Sequence, residues 1–306
     1  MQQMKRFTGF VRLGALLVLA AVFSGCQPAT EYASPTIGTL IYVPAGSFQR
    51  DYSAANVSVI SRPFYMSRHQ IIQAQFAAIM GTNPSFFTDG EDAGSRPVEQ
   101  VSWYDAIAFA NKLSIAEGLN PVYSVDGIDD WENLAYRDIP AWGNARWTNA
   151  TADWEADGYR LPTEMEWMWA AMGATEDALQ NFDDDGVNRS GHTKAFAGDD
   201  GTNSIDEYAW YSGTTDTRHQ PVGSRKPNEL GLYDMSGNVW EWNWDWYDDD
   251  HPSGVLIEYR GPDSGTDRVR RGGSWGFNAS FCELSYTGHN SPHSRFSYNG
   301  FRLVRR

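Results

Sequence analysis

Arg271-Gly272-Gly273-Ser274-Trp275 and, further on, Gly300-Phe301-Arg302-Leu303-Val304 bracket a stretch, Gly276 to Asn299, made mostly of Gly, Ser, Asn, His, Tyr and Phe. Tyr and Phe offer large contact area for few rotatable bonds, while Ser, Gly and Asn offer adaptable hydrogen bonding, the mixture found in antibody paratopes. An ordinary polar loop rich in turn formers has a similar composition. Seven aromatic or imidazole side chains, Phe277, Phe281, Tyr286, His289, His293, Phe296 and Tyr298, favour recognition, because a loop built only for solubility has no use for them.

The other end of the chain points to export. Lys5, Arg6 and Arg12 precede the apolar run Leu13 to Phe23 and the small-residue end Ser24-Gly25-Cys26, which reads as a secretory signal over residues 1–25. The run is too short to span a bilayer. Cys after Ser-Gly resembles the lipobox of bacterial lipoproteins, with Phe23 in place of the usual Leu, and implies lipidation of Cys26. Several acyl chains at about 0.8 kcal/mol per buried methylene would hold such a protein on a membrane, not in it. Gln27 to Thr36 is expected to be a flexible tether, with the folded domain over residues 37–306. With Cys26 lipidated, Cys282 is the only thiol left and no intramolecular disulfide can form. Removing the signal takes away three cations and no acids, so the net charge falls from -15 to -18. An acidic chain of this kind repels nucleic acid and anionic headgroups, leaving proteins or glycans as partners.

No self-similar period runs through the chain despite its thirteen Trp, which argues against a solenoid or propeller. Short strand-like runs, Gly and Pro punctuation and few helical patterns predict an irregular α+β domain. Leu40 to Pro44 reads as a first strand followed by a turn at Ala45-Gly46-Ser47. Ile71 to Met80 reads as a short helix closed by Gly81. A clearer helix is capped by Ser102 with Asp105, buries Ala106, Phe109, Ala110 and Leu113, and ends at Gly118. A third carries the capping box Thr163-Glu164-Met165-Glu166, faces Trp167, Ala170 and Ala171 inward, and exits at Gly173. Asp129 to Ala152 and Asn181 to Glu207 read as long loops whose acid runs are solvated surface.

Phe64-Tyr65-Met66-Ser67, Arg96-Pro97-Val98, Val101-Ser102-Trp103, Gly158 to Glu164, Pro221-Val222-Gly223, Gly231 to Trp242, Arg271 to Trp275 and Gly300-Phe301-Arg302 together resemble the formylglycine-generating-enzyme family. The motifs run in order over nearly all of the mature chain. The resemblance implies that family's variant of the C-type lectin fold, with two main helices, a small antiparallel sheet and much irregular structure. In oxidase members two cysteines after Gly-Gly-Ser bind copper, as suits a soft ion and soft sulfur. This chain has Phe277 where the first belongs and Cys282 where the second does, so the pair is incomplete and a non-enzymatic role is expected. An iron-binding branch uses clustered His residues, whereas His69, His192, His219, His251, His289 and His293 are scattered. The family's structural calcium would fall on Asp234, Gly237, Val239 and Glu241, a hard-oxygen set. The alternative is that Asp234 and Glu241 only hydrogen-bond the turn backbone.

A narrower resemblance is to the variable proteins of diversity-generating retroelements, especially a treponemal surface lipoprotein of this type. It implies a bacterial outer-surface receptor or adhesin whose ligand-binding positions come from randomised template adenines. Asn codons of the AAC type randomised at their adenines keep their last base and cannot specify Lys, Gln, Glu, Met or Trp. The positions expected to vary are Gly276, Phe277, Asn278, Ser280, Phe281, Tyr286, Gly288, His289, Asn290, Ser291, His293, Ser294, Phe296, Ser297, Tyr298 and Asn299, and none holds an excluded residue. Trp275, Ala279, Cys282, Glu283, Pro292, Arg295 and Gly300 would be fixed. An exported oxidase and an envelope lipoprotein without a dedicated ligand are the alternatives. If His289 and His293 face the ligand, binding should respond to pH near ~6 to 7.

Overall fold

A computed structural model describes residues 29–179, 182–215 and 217–306. The signal segment and Cys26 lie outside the described residues. Three small sheets and one strand pair are joined by four helices and long irregular stretches.

The first sheet gathers β1 (Glu31–Ser34), β2 (Gly38–Val43), β5 (Phe64–Ser67) and β14 (Val304–Arg305), all antiparallel, so the two ends of the domain lie in one sheet. This corrects the tether: Glu31 to Ser34 pair with β2, and buried Ser34 donates to Glu117 Oε1 at 2.6 Å. The segment is polar, and an edge strand needs only one apolar-facing partner, so its composition hides it. The second sheet joins β3 (Gly46–Gln49), β4 (Val57–Ile60), β8 (Val187–Asn188) and β10 (Val255–Ile257) in the order β10-β4-β3-β8. The expected turn at Ala45-Gly46-Ser47 is therefore shorter, since Gly46 already pairs with Ile60. The strand pair is β6 (Tyr123–Ser124) with β7 (Thr151–Ala152).

The helices follow their caps. In α1 (Gln73–Met80) the helix stops at Gly81, whose φ of 73° opens a left-handed exit. For α2 (Trp103–Ala116), Ser102 Oγ accepts from Asp105 N at 3.1 Å and Asp105 Oδ2 accepts from Ser102 N at 2.7 Å. After the single turn of α3 (Ala145–Thr148) comes α4 (Glu164–Ala171), whose box is closed by Thr163 and Glu166. Two apolar clusters form the core, one around α1 and α2 with Phe301 and Trp242, the other around α4 with Phe48, Phe64 and Met66. The long loop before α4 is pinned by buried Trp131 and Trp147, whose edge-to-face rings sit 5.8 Å apart. Among the described residues no helix is long and apolar enough to cross a membrane.

Candidate functional site

The last sheet has the order β12-β11-β9-β13 and consists of β9 (Trp240–Trp246), β11 (Arg268–Arg271), β12 (Gly288–Asn290) and β13 (Asn299–Gly300). Both outer strands belong to the segment between Trp275 and Phe301, which is thereby stitched to the sheet at two places. Arg270 pairs with Gly288 on one side and Trp242 on the other, and Asn299 pairs with Trp240.

Between those strands the backbone is held by groups from elsewhere. Buried Arg271 donates from Nη1 to Leu284 O at 2.8 Å and Tyr286 O at 2.9 Å, and from Nε to Glu164 Oε1 at 2.8 Å. Arg295 forms a two-pronged pair with Asp105, at 2.7 and 2.8 Å, so the capping residue of α2 also ties down the later loop. Trp103 N donates to Pro292 O and Gln100 N to Phe296 O, each at 3.0 Å, while Trp275 Nε1 reaches Ser297 O at 3.0 Å. Fixing main chain this way lowers the ordering cost of any later binding.

The side chains point the other way. Of the sixteen expected positions, fourteen are half-buried or exposed, with Tyr286 38% and Phe296 37% exposed, which suits contact with a ligand. Gly288 and Asn299 are corrections, because both are buried strand residues. A Cβ at Gly288 would meet the Trp240 ring at 3.1 Å, and Asn299 Oδ1 accepts from Arg270 Nη1. Their positions in the two outer strands make them frame.

Phe277, Phe281 and Tyr286 gather on Trp240, with ring centroids 5.8, 6.3 and 5.9 Å away, and Phe296 stacks on Tyr298 at 5.0 Å. With Tyr247, Arg270, Thr287, Gly288 and His289 this cluster lines a cavity of about 230 Å³. A second hollow of about 450 Å³, bordered by Asp51, Tyr52, His192 and Asp248, shares Tyr247, Tyr286 and Thr287 with it, so the two form one groove. Trp240, Tyr247 and Arg270 were absent from the expected positions. The sequence did carry a sign of Arg270: in a period-two strand, Arg268 and Arg270 of Arg268-Val269-Arg270 share a face.

His289 stacks on Tyr247 at 4.0 Å and its Nδ1 lies 2.7 Å from Asp267 Oδ2. His293 sits half-buried near Gly143. The other imidazoles lie apart: His251 binds Glu164 at 2.8 Å, and His219 is buried 3.6 Å from Glu99. His69 packs against Tyr233, and burial, helped by the Arg302 charge, lowers its pKa to about 4. Cys282 is fully buried, burial pushes its thiol up to about 12, and Phe277 is in the aromatic cluster.

The expected calcium donors converge on a side chain. Gln70 Nε2 lies 3.2 Å from Asp234 O, 3.4 Å from Gly237 O, 3.0 Å from Val239 O and 2.9 Å from Glu241 Oε1. Asp234 takes part through its carbonyl, since its carboxylate accepts from Gly223 N at 2.8 Å. Glu241 is charge-paired with Arg302 at 2.7 Å and accepts from Trp167 Nε1 at 2.6 Å. With an amide nitrogen at their centre and a guanidinium on the only carboxylate, these oxygens do not fit a calcium ion. The turn itself needs its glycine: at φ 82° Gly237 is left-handed, and a Cβ there would lie 2.4 Å from Trp210 O.

A family model described as the sulfatase-modifying factor enzyme 1-like domain matches residues 27–306. Chaperone protein LppX of Paenibacillus barcinonensis is 34% identical, across 96% of this chain and 99% of that protein. The formylglycine-generating enzyme of Thermomonospora curvata is 35% identical, across 87% of this chain and 92% of its own. Among solved structures, Treponema denticola variable protein 1 superposes with a TM-score of 0.78 at 36% identity, covering 92% of this chain and all of that one.

Proposed function

The chain belongs to the sulfatase-modifying factor enzyme 1-like domain family, and from that membership we propose that it is an exported, lipid-anchored binding protein that uses the family's fold to present a variable recognition face instead of an oxidase site. The observation that carries this reading is the division of labour between Trp275 and Phe301, where main chain is fastened by Arg271, Arg295 and Trp103 while fourteen of the sixteen expected positions stay half-buried or exposed. Likeness to a treponemal protein named for its variability supports diversification of that face. Cys26 would supply the anchor on the outer surface. A relative named as a chaperone favours a protein over a glycan as ligand.

Two tests bear on it. Copies of the 3′ end of the gene should differ at adenine-derived codons of a nearby template repeat, and an invariant segment without a repeat would remove the diversification. Capture of surface-labelled proteins by the full chain should fall at least about tenfold on changing Tyr286, His289, Phe296 and Tyr298 together to Ala, since a few anchor side chains dominate most interfaces. Capture unaffected by those changes would contradict the assigned face. So would copper- and oxygen-dependent turnover of a cysteine peptide that Cys282→Ser abolishes, which is what the oxidase alternative requires.

A further inference from the structure

Arg270 carries a buried positive charge that forms no ion pair with a carboxylate of the described residues, the Asp267 charge acting on it only from a distance. It is 8% exposed, its Nη1 donates to Asn299 Oδ1, and the Asn290 amide oxygen, once oriented to satisfy its neighbours, accepts from Nη2 at 3.1 Å. Its Nε has no acceptor. Buried Arg50 meets only the Pro252 carbonyl, whereas three other buried guanidinium groups meet acids, Arg271 with Glu164, Arg302 with Glu241 and Arg160 with Glu166. Arg268, two residues earlier on β11, lacks one, but its faces are covered by Trp103 and Trp246 at 3.9 and 3.5 Å and it donates to the carbonyls of Trp244 and Thr148.

Arg270 lies over Trp240 and Tyr298, farther off at 5.0 and 5.8 Å, and lines the cavity on the proposed recognition face. Trp240 lines the same cavity, and its buried Nε1 also has no acceptor. A buried charge without an ion pair beside an unpartnered donor is unfavourable unless water or an anion completes the set, and an anion does so with charge as well as a hydrogen bond. At about 230 Å³ the cavity holds roughly seven or eight water volumes. Phe277, Phe281 and Tyr286 give its walls aromatic faces against which an apolar side chain can stack beside the charged floor.

We propose that Arg270 and Trp240 form the fixed floor of the recognition pocket and that this pocket takes a carboxylate borne on an apolar body, as presented by the terminal residue of a protein ligand. The inference rests on the recognition reading above and adds the chemistry. Arg270 lies in β11, outside the diversified segment, so every variant would keep the carboxylate requirement while Phe277, Phe281 and Tyr286 change what surrounds it. The planar fork of Arg suits a carboxylate better than the point charge of Lys.

The probes are 3-phenylpropanoate, its neutral primary amide and N-acetylneuraminate, each titrated calorimetrically into the full chain. The acid should bind at least about tenfold more tightly than the amide, as a charge-assisted pair requires, and N-acetylneuraminate should bind more weakly than the acid. Arg270→Gln should erase the difference between acid and amide, and Arg270→Lys should restore part of it. Equal binding of acid and amide, or no binding of either, overturns the inference. Tighter binding of the sugar acid overturns its assignment to a protein. Should Arg270→Gln not fold, the acid and amide comparison on the unaltered chain decides. Acid and amide binding alike would still leave the recognition face standing, because that reading falls only with its own alanine test.

Discussion

Glu164 shows how one buried charge reaches the proposed recognition face. Its carboxylate meets Arg271, His251 and Thr287, and Arg271 in turn holds the carbonyls of Leu284 and Tyr286. Burial pushes its pKa up, but the Arg271 charge and the His251 and Thr287 hydrogen bonds more than offset this and hold it at about 2. A carboxylate depressed in the fold stabilises it above the unfolded pKa, and that contribution disappears as pH falls through the folded one. Stability should therefore drop by about 3 kcal/mol between pH ~4.5 and ~2 from this group alone. Glu164→Gln should lower the unfolding free energy at pH 7 by about 3 to 5 kcal/mol, since Arg271 is left buried without its partner, and should flatten the acid limb of a urea-unfolding series. An unchanged acid limb would refute this assignment. The sequence marked Glu164 only as part of a helix start. Its partner lies 107 residues away, a distance that local pattern cannot bridge.

Local chemistry did announce α2 and α4, because capping boxes act over three residues and their carboxylates close the helix ends where expected. Elements whose identity depends on a distant strand were harder to read. Gly288 and Asn299 look like outward loop residues until β11 and β9 pair with them, and β1 looks like a tether until β2 does. The turn from Asp234 to Glu241 belongs to the same class. The family resemblance implied a cation there, yet the group that meets its oxygens, Gln70, comes from a separate segment. If that amide braces the turn in place of a metal, chelator or added Ca²⁺ should leave the melting temperature unchanged. Gln70→Ala removes the two N–H donors that these buried oxygens share and should lower stability by about 2 kcal/mol or more. A melting temperature that rises with Ca²⁺ in the unaltered protein would contradict the fit described here.

At the scale of the whole molecule, the first sheet joins the beginning and end of the domain, and the last sheet offers the recognition segment on a frame tied to both cores. Tyr65 Oη donates to Ala29 O at 3.0 Å and Tyr42 N to Thr30 O at 3.0 Å, so the fold begins before Ile37. A chain starting at Ala29 should keep full stability, whereas one starting at Ile37 should lose about 3 kcal/mol or more with the hydrogen bonds of β1; equal stabilities would restore the tether. The motifs revealed the fold class because they are short, ordered and spread over the domain. The pocket floor stayed hidden because Arg270 and Trp240 meet only when β9 and β11 pair. The direct measurement is the denaturation midpoint of a library randomised at Gly276, Asn278, Ser280, Tyr286, His289 and Phe296. Most members should lie within about 1 kcal/mol of the parent, as outward positions on a fixed backbone allow. A library in which most members unfold would show that these side chains hold the fold together and do not belong to a free face.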